Sequence, residues 1–285
     1  MVLEVRNLAK HFGGLKVIDD LSFGVERGER LALIGPNGAG KTTVFDLVTG
    51  LTPADGGRVI LGGLDVTGLP THDRAALGLG RSFQDARLWP ALTVREALAV
   101  AMERRVAMRQ FLPAWFNLPQ VRLSEARVAR QVEEVIELLR LEAFRDKFVS
   151  ELSTGSRRMV EIGAMLAHRP GVLLLDEPSS GIAQRESEAL GPVLRNVQQH
   201  MGCSILIIEH DMPLIASLAD HIVAMEQGQV VVVGAPKEVL EHPQVIASYL
   251  GDHSVEEVAE ARPNGGRTSS GTSGARATTS RGARP

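Results

Sequence analysis

The run Leu31-Ala32-Leu33-Ile34-Gly35-Pro36-Asn37-Gly38-Ala39-Gly40-Lys41-Thr42-Thr43 decides how the rest of this sequence is read. From Gly35 it fits the spacing G-x-x-x-x-G-K-[ST], in which glycines let backbone N–H groups wrap a polyphosphate and a lysine adds positive charge. Leu31 to Ile34 is an apolar run of strand length, and Thr42 to Gly50 reads as a helix. The loop is therefore expected on a strand-to-helix turn, where free N–H groups and the helix dipole favour an anion.

Further along, Val172 to Leu175 reads as a fully buried parallel strand that delivers Asp176 and Glu177 at its C-terminal end. Open α/β sheets collect their ligands at that end. One carboxylate can hold Mg²⁺, directly or through water, and the other can orient or deprotonate an attacking water. By residue type alone, a pair of solvated strand-end acids is the plain alternative. His210 follows a third apolar run, Ile205 to Ile208, and by itself reads equally well as a turn cap. Ser153 and Gly155 lie in Leu152 to Ser156 (LSTGS), at the start of a helical stretch from Arg157 to Ala167. Read alone, Ser153 is an N-cap.

The 285 residues are enough for one large domain, or a domain with an insertion, and the apolar fraction of 44% is that of an ordinary soluble core. No run approaches the roughly 20 apolar residues that span a bilayer, and Val2 to Lys10 does not resemble a signal peptide, so a cytoplasmic chain is expected. The single cysteine, Cys203, excludes an intrachain disulfide and is expected buried beside a strand. Net charge is −3, but Ala261 to Pro285 holds five arginines and no acid, which leaves −8 on the rest. An acidic body argues against a nucleic-acid footprint. Residues 252–285, rich in Gly, Ser, Thr, Ala and Arg, bury too little apolar surface to fold and read as a disordered tail.

Val2 to Val5, Ser22 to Val25, Leu31 to Ile34 and Arg58 to Leu61 read as strands. Helical patterning follows over Val94 to Met108 and over Ser124 to Leu139, with Ser124 as N-cap. The α/β pattern resumes at Arg157, with a helix from about Gln184 to His200 that Gly191-Pro192 should kink or split. Strands near Ile222 to Met225 and Val230 to Val233 close the pattern.

The ordered set GPNGAGKTT, Gln84, LSTGS, VLLLDEP and His210 resembles the ATP-binding subunit of an ABC transporter over roughly residues 2–251. Within that family it is most similar to ATPases of branched-chain amino acid importers. That narrower likeness rests on Lys10 to Leu15 (KHFGGL), Gly80 to Gln84 (GRSFQ), Leu88 to Val94 (LWPALTV), Glu209 to Met212, and Val245 to Gly251. The resemblance implies an α/β fold with a P-loop NTPase (RecA-like) core, an N-terminal antiparallel β subdomain, and an α-helical subdomain inserted over about 88–160.

It also implies roles for single residues. Phe12 would stack on adenine. Gly35, Pro36, Asn37, Gly38, Ala39, Gly40, Lys41, Thr42 and Thr43 would hold the phosphates of ATP, with Lys41 on the β and γ phosphates and Thr43 on an inner one. Thr42, Gln84 and Asp176 would serve Mg²⁺, Glu177 would be general base or water-orienting carboxylate, and His210 would be the switch near the γ-phosphate. Ser153 and Gly155 would face the γ-phosphate held by a second ABC ATPase subunit, related or identical, in a head-to-tail dimer.

Membrane permease subunits would insert short helices beside Phe83 to Val100, with a solute-binding protein acting indirectly. This chain would sit peripherally on the cytoplasmic face of the membrane. The aromatic patch Phe111 to Phe116 would pack on its own domain or touch the membrane partner. Two departures stand out: Thr154 and Ser156 where the family has Gly and Gln, and Ala183 where it commonly has Asp or Asn. They leave open a regulatory ATP-binding protein that drives no transport, while an exporter ATPase, for lipid or lipopolysaccharide, would share the same nucleotide chemistry and differ only through its partner surface.

Overall fold

The computed structural model describes residues 1–82, 88–103 and 119–249. Gln84, Phe111 to Phe116, and the tail 252–285 lie outside the described residues. Strands β1 (Leu3–Phe12), β2 (Leu15–Val25) and β3 (Arg30–Ile34) precede α1 (Lys41–Thr49). Next come β4 (Gly56–Leu61), β5 (Leu64–Asp65), α2 (Thr71–Ala76) and β6 (Leu79–Arg81). Helices α3 (Val94–Glu103), α4 (Pro119–Leu138) and α5 (Thr154–Leu166) separate β6 from β7 (Val172–Asp176). The chain continues through α6 (Gln184–Met201), β8 (Ser204–Ile208), α7 (Met212–Leu218), β9 (His221–Glu226), β10 (Gln229–Gly234) and α8 (Pro236–Leu240), and residues 243–249 are helical again.

The strands form two sheets. One is antiparallel, in the order β2-β1-β4-β5; the other runs β10-β9-β3-β8-β7-β6, parallel except for β10 at its edge. Alternation along the central strands divides the core. Ala32, Ile34, Leu173, Leu175, Ile205 and Ile207 face the helices α3 to α6, whereas Leu31, Leu33, Val172, Leu174, Leu206 and Ile208 face the antiparallel sheet and α1. Both faces of β3, β7 and β8 are covered, which is why each reads as an unbroken apolar run rather than an alternating one. This stacking brings the C-terminal ends of β3, β7 and β8 to one edge, in register from Leu33 opposite Ile208 to Ile208 opposite Asp176.

Two local expectations fail. Ser124 lies inside α4 (Pro119–Leu138) rather than at a helix start. Gly191-Pro192 does not split α6, which continues through Pro192 to Met201. Leu190, Val193, Leu194 and Val197 anchor both halves in one core, and the glycine before the proline has no Cβ to clash with the ring. Cys203 is buried as expected, and burial raises its thiol pKa. Among the described residues, no helix is long and apolar enough to cross a membrane.

Candidate nucleotide-binding and hydrolysis site

The turn from β3 to α1 is shaped by glycines that nothing larger could replace. A Cβ on Gly35 would stand 2.2 Å from the Met225 carbonyl oxygen, and one on Gly40, at φ 99°, would stand 2.7 Å from the Ile18 side chain. Gly40 precedes α1 without a side-chain cap, and the first turn of α1 has no acid, so its N-terminal N–H groups remain directed at the loop. Lys41 is buried and donates to the carbonyl oxygens of Gly35 and Pro36 at 2.6 and 3.0 Å. The lysine thus rests on the loop it would help fill. Asn37, Gly38 and Thr42 are exposed, Pro36, Gly40 and Thr43 half-buried, and Ala39 buried. The Gly35 N–H donates to the Tyr249 hydroxyl at 2.9 Å.

At the end of β7, neighbouring carboxylates occupy opposite environments. Asp176 is buried, and its own N–H donates to Ser82 Oγ at 2.9 Å. Burial raises its pKa, while Arg81, 3.4 Å from Oδ2, opposes that shift and Glu177 adds to it. Oδ1 is buried with no hydrogen-bond partner among the described residues. Arg81 also bonds Asp46 of α1 at 2.6 Å, tying the helix after the phosphate loop to this strand.

Glu177 takes a left-handed conformation, φ 45°, and donates its N–H to the Ile208 carbonyl at 2.9 Å. That turn carries its side chain out of the sheet. Glu177 Oε1 lies 3.1 Å from His210 Nε2, with both side chains partly exposed. Two expected residues, 33 positions apart, are therefore in direct contact.

Glu209 holds that contact in place. It is 2% exposed and accepts from Ser179 N–H at 2.7 Å, Ser179 Oγ at 2.8 Å and His210 N–H at 3.0 Å. A buried carboxylate is tolerated only with such donors, and these stitch the loop after β7 to the loop after β8. Glu209, like Arg81, carried no signal of its own beyond its place in the subfamily pattern, because its partners are distant in sequence.

Phe12 and Ser153 are exposed, and Gly155 is buried. Phe12 ends β1 half exposed, its ring 5.3 Å from Lys10 Nζ. It is no core aromatic. Ser153 caps α5, accepting from Ser156 N–H at 3.2 Å, and donates to Glu186 Oε1 at 3.0 Å. A Cβ on Gly155 would meet Glu186 Oε2 at 2.3 Å, so this carboxylate from α6 lies directly on the start of α5. Ala183 precedes α6 and offers no side-chain cap.

Mg²⁺ commonly takes one or two carboxylates and completes its shell with phosphate and water. The site fits such an ion: Asp176 presents an orphaned buried oxygen at the end of β7, with β8 between it and the strand that leads into the glycine loop, and Thr42 is exposed in the first turn of α1.

A family model described as "ABC transporter" matches residues 18–180. The high-affinity branched-chain amino acid transport ATP-binding protein BraF of Pseudomonas aeruginosa is 37% identical over 251 residues, covering 88% of this chain and 98% of the relative. LivG of Escherichia coli K12, described in the same words, is 33% identical over 251 residues with the same coverage. A nucleotide-free ATP-binding cassette from an ABC transporter superposes with TM-score 0.73 at 29% identity, covering 87% of this chain and 98% of that one. The ADP conformation of an ABC transporter cassette gives TM-score 0.73 at 28% identity, over 88% and 98%. The chain belongs to the ABC transporter ATP-binding family, has its P-loop α/β fold, and is an ATPase subunit.

Proposed function

We propose that this chain hydrolyses ATP with Mg²⁺ to energise uptake of branched-chain or related amino acids through separate transmembrane permease subunits, docked on the cytoplasmic face of the membrane. The observation that carries the hydrolytic part is the Glu177–His210 contact of 3.1 Å at the strand ends beside the glycine loop. The substrate class follows from relatives whose names specify branched-chain amino acid transport.

Residues 35–43 take the phosphates in this reading, and Lys41 exchanges loop carbonyls for phosphate oxygens. Thr42, Asp176 and Gln84 would hold Mg²⁺, which would supply neutralisation of phosphate charge. Glu177 accepts the proton of, or orients, the attacking water, and His210 steadies Glu177 from its exposed side. Such chemistry needs positioning and charge more than covalent help. Phe12 offers an exposed π-face for the base. Ser153 and Gly155 complete the site of a second ATPase subunit, head to tail, and Thr154, Ser156 and Ala183 favour a related but different partner. The working unit spans 2–251, with a helical subdomain at about 88–160 and a tail at 252–285.

The test is to purify the Glu177→Gln chain from native membranes with ATP. Recovery of two permease subunits, a second ATPase and a solute-binding protein supports the importer; an exporter permease, or no membrane protein, overturns transport of amino acids while leaving the ATPase chemistry intact. The different-partner reading fails if the chain alone forms a stable ATP-bound dimer and hydrolyses at the rate of the whole assembly.

A further inference from the structure

Arg81 closes β6, its side chain 8% exposed, and serves two carboxylates from different elements. Nη1 donates to Asp46 Oδ1 at 2.6 Å and to Thr49 Oγ1 at 3.2 Å, both on α1; Nη2 donates to Asp176 Oδ2 at 3.4 Å on β7. The guanidinium also lies over the Phe45 ring, 5.6 Å from its centre. A planar fork with fixed donor directions bridges the two acids from separate nitrogens, whereas an ammonium offers rotatable donors from one atom on a flexible stem and fixes neither acid's orientation as firmly. With Oδ2 engaged by Arg81, Oδ1 is the Asp176 oxygen left without a partner among the described residues.

We propose that Arg81 is a positioning residue for the nucleotide-bound cation: by holding Asp176 Oδ2 against α1 it turns Oδ1 toward the ion. The inference rests on the Mg²⁺–ATP reading above. Arg81 acts through Asp176, and Asp46 fixes Arg81 to the helix that follows the phosphate loop. The metal carboxylate and the phosphate cradle are thereby held to one another by a side-chain link as well as by the sheet. Partners that orient a metal's ligands commonly change metal affinity 10- to 100-fold when removed.

The experiment uses the full chain, a non-hydrolysable ATP analogue, and Mn²⁺ followed by electron paramagnetic resonance. Arg81→Met is expected to weaken Mn²⁺ binding to the protein–nucleotide complex about tenfold, with affinity for metal-free nucleotide changed by less than about twofold. Arg81→Lys is expected to lose about threefold, because it keeps the charge and loses the fork. Unchanged Mn²⁺ affinity in folded Arg81→Met overturns the proposal, as does an equal loss of metal-free nucleotide binding, which would make Arg81 merely structural. Should Arg81→Met fail to fold, Asp46→Asn and Arg81→Lys decide, and unchanged Mn²⁺ affinity in both is the overturning result. Failure of the wild-type chain to bind nucleotide would instead defeat the ATP reading.

Discussion

Helices α1 and α5 both begin where an anion can sit, yet they are furnished in opposite ways. The start of α1 is built from consecutive residues: a glycine loop, no acid in the first turn, and Lys41 resting on the carbonyls of Gly35 and Pro36. The first turn of α5 likewise has no acid, but Glu186, 33 residues beyond Ser153, lies over the helix start and bonds Ser153. One seat carries its own positive charge and rests on its own main chain. The other is covered by an acid of the same chain, so a phosphate from a second subunit would have to displace a like charge.

The largest expected effect separates the two seats directly. Lys41→Ala should lower the rate of phosphate release by about two to three orders of magnitude, since charge stabilisation of the transferring phosphoryl group is lost. Steady-state phosphate assays check this, and a loss below tenfold would place the phosphates elsewhere.

Glycine substitutions sharpen the comparison next. A Cβ at Gly35 and one at Gly155 would meet neighbours at nearly the same distance, 2.2 and 2.3 Å. The first neighbour is the Met225 backbone; the second is the end of the Glu186 side chain. Gly35→Ala should therefore cost about 3 kcal/mol or more in urea unfolding, whereas Gly155→Ala should stay within about 1 kcal/mol, its displaced carboxylate offset by better helix propensity. Equal losses would mean that Glu186 is as rigid as backbone.

Asp176 shows how the phosphate-loop side is held in readiness. Burial raises its folded pKa, so the group favours folding below the ordinary carboxyl range near 4 and loses that contribution as pH rises through the folded value. Asp176→Asn should gain about 1 kcal/mol of stability at pH 7, less as pH approaches 4, while abolishing metal-dependent hydrolysis. Denaturation at several pH values together with phosphate release tests both halves.

The smallest effect belongs to α5. Glu186→Gln should cost the isolated chain about 0.5 kcal/mol, the scale of a charge near a helix start, and should strengthen ATP-dependent pairing severalfold by light scattering on a Glu177→Gln background. Weaker pairing would make Glu186 part of the interface instead of its obstacle.

How much of this was legible follows one physical line. The pattern of the proposed phosphate loop is local: the spacing of Gly35, Gly40 and Lys41, and the carbonyls on which Lys41 rests, lie within a few residues, so sequence was enough to mark it, although the contacts that exclude a Cβ come from distant Met225 and Ile18. Glu177 and His210 were legible too, because buried parallel strands are conspicuous apolar runs and ligands gather at their ends. Pro192 misled because the packing of α6 overrides a local breaker, and Ser124 because it sits within α4, whose helical run already includes Pro119.

Arg81, Glu209 and Glu186 gain their meaning only from groups brought together by the sheet and its helices: Arg81 meets Asp176 across 95 positions, Glu209 meets Ser179 across 30, and Glu186 meets Ser153 across 33. Sequence by itself determined the cradle, the strand-end acids and the family. The tertiary structure alone decided which acid is buried with an arginine, which is left beside a histidine, and which covers the second seat. A charged side chain's role depends on what lies within about 4 Å of it, and chain order does not fix that neighbourhood until the fold is complete.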